Sequence, residues 1–193
     1  MTKAPDSKEK TIAAAVKLLS RQGYYGTALN EILDAAGSPR GSLYFHFPNG
    51  KEEIGVAAMA RGAELVRALI VESAANSKNI GSFLERIVRA MASNLERSGY
   101  KEGCPIATAA LETAAQAGNL AVASRTAFQM WETEIKLGME RFGMKPNEAE
   151  RTATAVLSQL EGALLLARTY QNLEPLRRAE KAIKILAGLG AKK

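Results

Sequence analysis

Residues 27–51 constrain this chain more than any other stretch. They read Thr-Ala-Leu-Asn-Glu-Ile-Leu-Asp-Ala-Ala-Gly-Ser-Pro-Arg-Gly-Ser-Leu-Tyr-Phe-His-Phe-Pro-Asn-Gly-Lys. Leu29, Ile32, Leu33 and Ala36 fall at i, i+3, i+4 and i+7, which draws one apolar stripe along a short helix. Gly37 ends it, because glycine takes the left-handed backbone that a helix C-terminus favours. Ser38 is placed to cap a second helix, and Pro39 suits a first turn in which no amide hydrogen is used. Pro48-Asn49-Gly50 breaks the chain again. Two short helices joined by so tight a turn form a helix-turn-helix unit, whose second helix fits a DNA major groove. Arg40, Ser42, Tyr44 and His46 crowd that second helix with polar and aromatic groups.

The rest of the chain also reads as helix. Alternating β-branched and aromatic runs are missing, and aromatic residues make up only 6%, so the expected class is all-α. A first helix is expected over Ser7–Arg21, with Ile12, Val16 and Leu19 inward and Gly23 closing it. Thr27 is expected to cap the second helix and Ser38 the third. Lys51 opens a long fourth helix, ending near Ala75, with Ile54, Ala58, Leu65 and Leu69 inward. A fifth helix over Ser82–Arg97 carries Leu84, Ile87, Val88, Met91 and Leu95 on one face. Gly103-Cys104-Pro105 starts a sixth that runs to Ala117, and a seventh spans Leu120–Phe142. Asn147 caps an eighth over Glu148–Tyr170, and Pro175 starts a ninth. The expected domains are residues 1–50, a helix-turn-helix head, and residues 51–193, a helical ligand-binding and dimerisation domain.

Net charge is +6 with an isoelectric point near 9.5, which suits an anionic partner. Residues 1–51 hold seven basic and four acidic groups, against nineteen and sixteen in the much longer remainder, so the head is the denser positive patch. One histidine rules out a histidine-rich metal site, and one cysteine rules out an internal disulfide framework. No nucleophile elbow, phosphate loop or dinucleotide fingerprint appears, so no catalytic residue and no cofactor are expected. The start, Met1 to Lys10, is polar and charged, and no apolar run approaches the length of a membrane span. A reducing cytoplasm is the expected setting.

The segment Gly37–Pro48, followed by Lys51-Glu52-Glu53-Ile54, resembles the DNA-binding domain of the TetR family. The extra residue in Asn49-Gly50-Lys51, together with Gly103-Cys104-Pro105-Ile106-Ala107-Thr108-Ala109-Ala110-Leu111-Glu112, is similar to the LmrA/YxaF-like branch. One departure is Ser38, where many members of the family carry valine. The resemblance implies a dimeric repressor that binds double-stranded operator DNA and releases it when a small molecule enters the carboxy-terminal domain.

Arg40 projects from the first turn of the recognition helix, where arginine can grip guanine O6 and N7 or hold a phosphate. Gly41 lets the backbone approach a base edge, and Pro39 can touch a thymine methyl. Tyr44 and His46 match positions where the family's polar side-chain tips bond phosphates. Thr27 suits both a cap and a phosphate contact, and Lys51 suits a phosphate. Ser38 and Ser42 complete the expected DNA-binding set, while Leu43 and Phe47 are expected in the core. Lys3, Lys8 and Lys10 form a basic amino-terminal arm.

Met91, Leu95, Ile106, Leu111, Met130, Trp131 and Phe142 supply material for an apolar ligand cavity, or for a filled core; helical spacing does not separate the two. Cys104, beside a helix start, reads either as a buried inert thiol or as an electrophile and redox sensor. Glu112 either orients a ligand or pairs with an arginine. The dimer is expected on the last two helices, through Val156, Leu157, Leu160, Leu164, Leu176, Ile183 and Leu186, because stripes this wide exceed what one small helical domain can bury. A non-specific architectural DNA-binding protein is the rival from another class, recognised by equal binding to every duplex.

Overall fold

The computed structural model describes residues 7–116 and 118–189, and for Ser42 the backbone alone. Every regular element among them is helical: α1 Ser7–Gln22, α2 Leu29–Ala36, a 3-10 turn Arg40–Ser42, α3 Leu43–His46, α4 Lys51–Ala75, α5 Ile80–Arg97, α6 Pro105–Thr113, α7 Asn119–Arg141, α8 Pro146–Tyr170 and α9 Glu174–Leu186. The chain groups into two compact units. One lies within Met1–Glu64 and Cys104–Ala127, the other within Leu65–Gly103 and Phe128–Lys193. α6 falls in the first unit, with the head.

In the first unit α1 packs against both α2 and α6. Leu19, Ile32, Leu33, Leu43, Phe47, Ile54, Ala58, Ile106 and Ala109 are buried. Ile106, Ala109 and Thr113 recur at i, i+3 and i+7, so α6 turns one narrow face inward. Leu111 lies between them on the outer face and is 84% exposed, so it lines no interior space as a single chain.

The second unit is built on α5, α8 and α9, each in contact with the other two. Phe83, Leu84, Ile87, Leu95, Trp131, Ile135, Met139, Val156, Leu160, Leu176 and Ile183 are all buried. Asn79 caps α5 by accepting from the Ser82 amide at 2.8 Å. Arg67 pairs with Glu134 at 3.1 Å. Lys184 reaches Glu180 at 2.7 Å and Glu85 of α5 at 3.4 Å. The hydrogen bond to Glu180 is the main reason its ammonium is held above the usual lysine range; Glu85 adds to this, against the opposing effect of burial.

Several expectations are corrected. Leu65 is exposed, not inward. Pro146 starts α8 with Lys145 before it, in place of an Asn147 cap. Val156, Leu157, Leu160, Leu164, Leu176 and Ile183 are each at most 9% exposed within the single chain, so these side chains serve the protomer's own core. The physical reason is that α8 and α9 pack on each other, with α5 against both, chiefly against α9. Of the seven expected dimer residues only Leu186, 48% exposed, is open.

Candidate nucleic-acid interface

The turn between α2 and the recognition segment forms as its residue types require. Gly37 sits at φ 60°, ψ 31°, and its amide donates to the Asp34 carbonyl. The Ser38 amide donates to the Leu33 carbonyl at 3.0 Å, which closes the helix end in Schellman fashion. Pro39 is extended, and the chain then winds through the 3-10 turn into α3. Leu43 and Phe47, four residues apart, are buried anchors, and the Phe47 amide donates to the Leu43 carbonyl at 2.8 Å. Tyr44 and Phe45, between these anchors, therefore face outward.

The outward row comprises Pro39, Arg40, Gly41, Tyr44 and Phe45. Tyr44 is 66% exposed and Phe45 84%. No atom lies within 4 Å of where a Cβ on Gly41 would stand, so the backbone there is open to close approach. His46 is half-buried, its ring edge-on to Phe45 at 5.1 Å. Phe45 was absent from the expected set, although the Leu43/Phe47 spacing signals it, since a residue midway between two inward anchors points out. Lys8 of α1 stands 5.8 Å above the Phe47 ring and adds a cation beside this row.

Lys51 lies at the start of α4 with its ammonium 4.4 Å from the Tyr24 ring centroid. Burial lowers its pKa below the usual lysine range, against the opposing charge of Glu112.

Two of the expected contacts are placed differently. Thr27 is fully buried, and its hydroxyl donates to the Gly23 carbonyl at 2.6 Å. Ala28 is the residue before α2, and Glu31 accepts from its amide at 3.4 Å, so Thr27 neither caps that helix nor offers its hydroxyl to a phosphate. Ser38 caps nothing either. Ser7 donates to its hydroxyl at 3.2 Å and Thr11 is hydrogen-bonded to it at 3.1 Å, so Ser38 ties the turn to α1. The position is filled by a cluster of three hydroxyls, from Ser7, Thr11 and Ser38. The Ser42 side chain and Lys3 lie outside the described residues.

Glu112, expected to orient a ligand or pair with an arginine, is held here by backbone amides. Its Oε2 accepts from the amides of Tyr24 at 2.7 Å and Tyr25 at 2.9 Å. Cys104 is buried at the N-cap of α6, its Sγ accepting from the Ala107 amide at 3.4 Å. Of the expected ligand residues, Ile106 in the first unit is buried, as are Leu95 and Trp131 in the second, where Trp131 is edge-on to Phe128 at 5.5 Å. Met91 and Met130 are half-buried, as is Phe142, whose ring lies 6.4 Å from that of Phe83.

A helix-turn-helix head with an outward row of this chemistry, in an all-helical chain, defines a class of DNA-binding transcriptional regulators. Residues 12–58 match the family described as "Bacterial regulatory proteins, tetR family". Residues 82–182 match "Transcriptional regulator LmrA/YxaF-like, C-terminal domain". The chain is 32% identical over 171 residues to the HTH-type transcriptional regulator LmrA of Bacillus subtilis (strain 168), covering 89% of this chain and 91% of LmrA. It is 32% identical over 186 residues to YxaF of the same organism, an uncharacterized HTH-type transcriptional regulator, covering 96% and 97%. Its fold is similar to that of a TetR transcriptional regulator from Legionella pneumophila, with TM-score 0.85 at 22% identity over 95% and 98% of the two chains. The chain belongs to the TetR family of bacterial transcriptional regulators, in the LmrA/YxaF-like branch. It is a regulator and not an enzyme. No described helix is long and apolar enough to cross a membrane.

Proposed function

We propose that the protein is a homodimeric repressor that binds a palindromic operator and is released by a small lipophilic or aromatic effector. The observation that carries DNA binding is the outward row Arg40, Gly41, Tyr44 and Phe45 on a segment pinned by Leu43 and Phe47. Arg40 supplies a fork for guanine, Gly41 lets the backbone approach, and the aromatic faces meet sugars and thymine methyls. Lys8 and Lys51 add phosphate contacts. The test is selection from random duplexes, followed by fluorescence anisotropy over a salt series. A selected site bound about 10³-fold or more tighter than random duplex is expected. Equal affinity for all sequences would instead mark a non-specific DNA-binding protein.

The dimer face lies beside the stripe that the sequence suggested. A shallow groove of about 530 Å³ runs between α8 and α9, lined by Gln159, Ala163, Leu166, Tyr170, Arg178 and Ala182, among others. Leu166 and Tyr170 on α8, and Ile185 and Leu186 on α9, are exposed apolar side chains on these helices. Gly162 of α8 has open space where a Cβ would stand, which suits close approach of a helix from a second copy. Two α8–α9 pairs related by a twofold axis form a four-helix bundle that sets two heads on successive major grooves.

For the effector, half-buried Met91 and Met130 with buried Leu95 and Trp131 provide adaptable apolar surface in the second unit. The effector binds the weak-binding form of the dimer better, and so shifts the population away from DNA. A second reading rests on Cys104, which stands at the N-cap of α6. In that reading an electrophile modifies Cys104 and releases DNA. Cys104→Ser then abolishes release by the electrophile with DNA affinity intact, whereas an unchanged response excludes it.

A further inference from the structure

The corner between α1 and α2, Gly23–Gly26, is held by a residue far away in sequence. Gly23 turns there at φ +77°, and the Thr27 hydroxyl and amide close it locally onto the carbonyls of Gly23 and Tyr24. The amides of Tyr24 and Tyr25 have no acceptor in that local arrangement. Both donate to a single atom, Oε2 of Glu112 on α6, 88 and 87 residues further along. The Tyr25 hydroxyl donates to Gln116, just beyond the same helix, at 2.9 Å. The fit is close: a Cβ on Gly23 would overlap Glu112 Oε1, so the carboxylate would have to move. A backbone turn, an absent side chain and a carboxylate are thus matched to one another within the head.

Two parts of the DNA-facing surface depend on this corner. The Tyr24 ring supports the Lys51 ammonium. The same corner sets the direction in which α2 leaves α1, and α2 leads through Gly37 into the recognition segment. We infer that Glu112 is a positioning residue for DNA binding, a latch by which α6 holds the α1–α2 corner in its binding-competent form. Because both amides share one oxygen, a small displacement of α6 loosens both bonds together. The inference rests on the reading of the head as the DNA-binding surface, and its test separates the two.

The experiment uses the full chain with Glu112→Ala and Glu112→Gln, a selected duplex, a random duplex, thermal melting, and amide exchange at Tyr24 and Tyr25. Bonds to a charged acceptor are strong ones, and affinity falls with the fraction of heads held competent, so Glu112→Ala should bind both duplexes about tenfold or more weakly. The two amides should exchange faster in it, at a temperature where melting shows it fully folded. Glu112→Gln keeps an acceptor oxygen and should restore most of the affinity. Should Glu112→Ala be too unstable to read, a cycle with Gly23→Ala serves. The added methyl should cost less affinity when Glu112 is already truncated, because the overlap is then gone. Parental affinity in Glu112→Ala, unchanged exchange at both amides, or no rescue by Gln overturns the latch alone. A parental protein that captures no duplex at any salt overturns the DNA-binding reading and the latch with it.

Discussion

Glutamate at both Leu166 and Ile185 should split the dimer and leave the protomer folded. Ile185 is 64% exposed and Leu166 44% exposed in the single chain, so neither contributes much to the protomer's own core. Fully burying such a side chain is worth about 1.5–3 kcal/mol, so covering the exposed fraction gives about 1–2 kcal/mol each. A twofold interface counts each residue twice. Losing both from both copies therefore removes roughly 4 kcal/mol or more, close to a thousandfold in dimer dissociation constant, before any repulsion between the introduced carboxylates. Leu160→Glu is the control. Leu160 is 2% exposed, and its replacement buries an unpaired charge inside the protomer. Sedimentation equilibrium and melting followed by circular dichroism separate the two cases. The double variant should sediment as a monomer with a near-parental helical spectrum and lose operator affinity, whereas Leu160→Glu should fail to fold. A double variant that stays dimeric at micromolar concentration, or a well-folded monomeric Leu160→Glu, would refute the placement of the face.

Arg40→Ala should cost about 1–3 kcal/mol on the selected site and relax preference at one base pair; equal weakening on all duplexes would show a phosphate contact instead. Phe45→Ala should leave melting within about 0.5 kcal/mol of the parent, since the ring is exposed in the free protein, yet weaken operator binding by about 1–2 kcal/mol from lost apolar contact. Anisotropy and melting on the same sample check both halves. Lys184 tests a pH dependence. Its folded pKa is raised, so its stabilising effect is fully present below the ordinary lysine value and is lost as pH rises through the folded value. The parent should melt above Lys184→Met at pH 8 by about 0.5–1 kcal/mol, and that advantage should shrink toward pH 11.

The long helices were legible because periodicity and punctuation agree along them. Lys51 to Ala75 needed only its apolar spacing and the Pro48-Asn49-Gly50 break before it. Misreadings arose where a third partner decides. Ser38 looks like a cap in its own segment, but Ser7 and Thr11, brought in by α1, take its hydroxyl. Thr27 is displaced from capping by the Gly23 carbonyl four residues back. The stripes of α8 and α9 could be counted, but a stripe does not say whether its cover comes from the same chain; here the two helices pack on each other, with α5 beside them. The partners of Glu112 are backbone amides, which carry no residue-type signal at all.

The brevity of the recognition segment limits what one copy can know about a sequence. A three-residue 3-10 turn and a four-residue α-helical stretch together extend about 12 Å. At about 3.4 Å per step along DNA, that length faces roughly four base pairs. Four positions, even read without ambiguity through the major groove, separate at most about 256 sequences. A genome presents on the order of 10⁶ registers or more, so a lone head would find thousands of sites indistinguishable from its own. Two heads at fixed separation multiply their alphabets, to roughly 65,000 combinations, and reduce the matches to tens. The remaining ambiguity falls to the base pairs between the half-sites, where the stiffness of untouched DNA becomes part of the message.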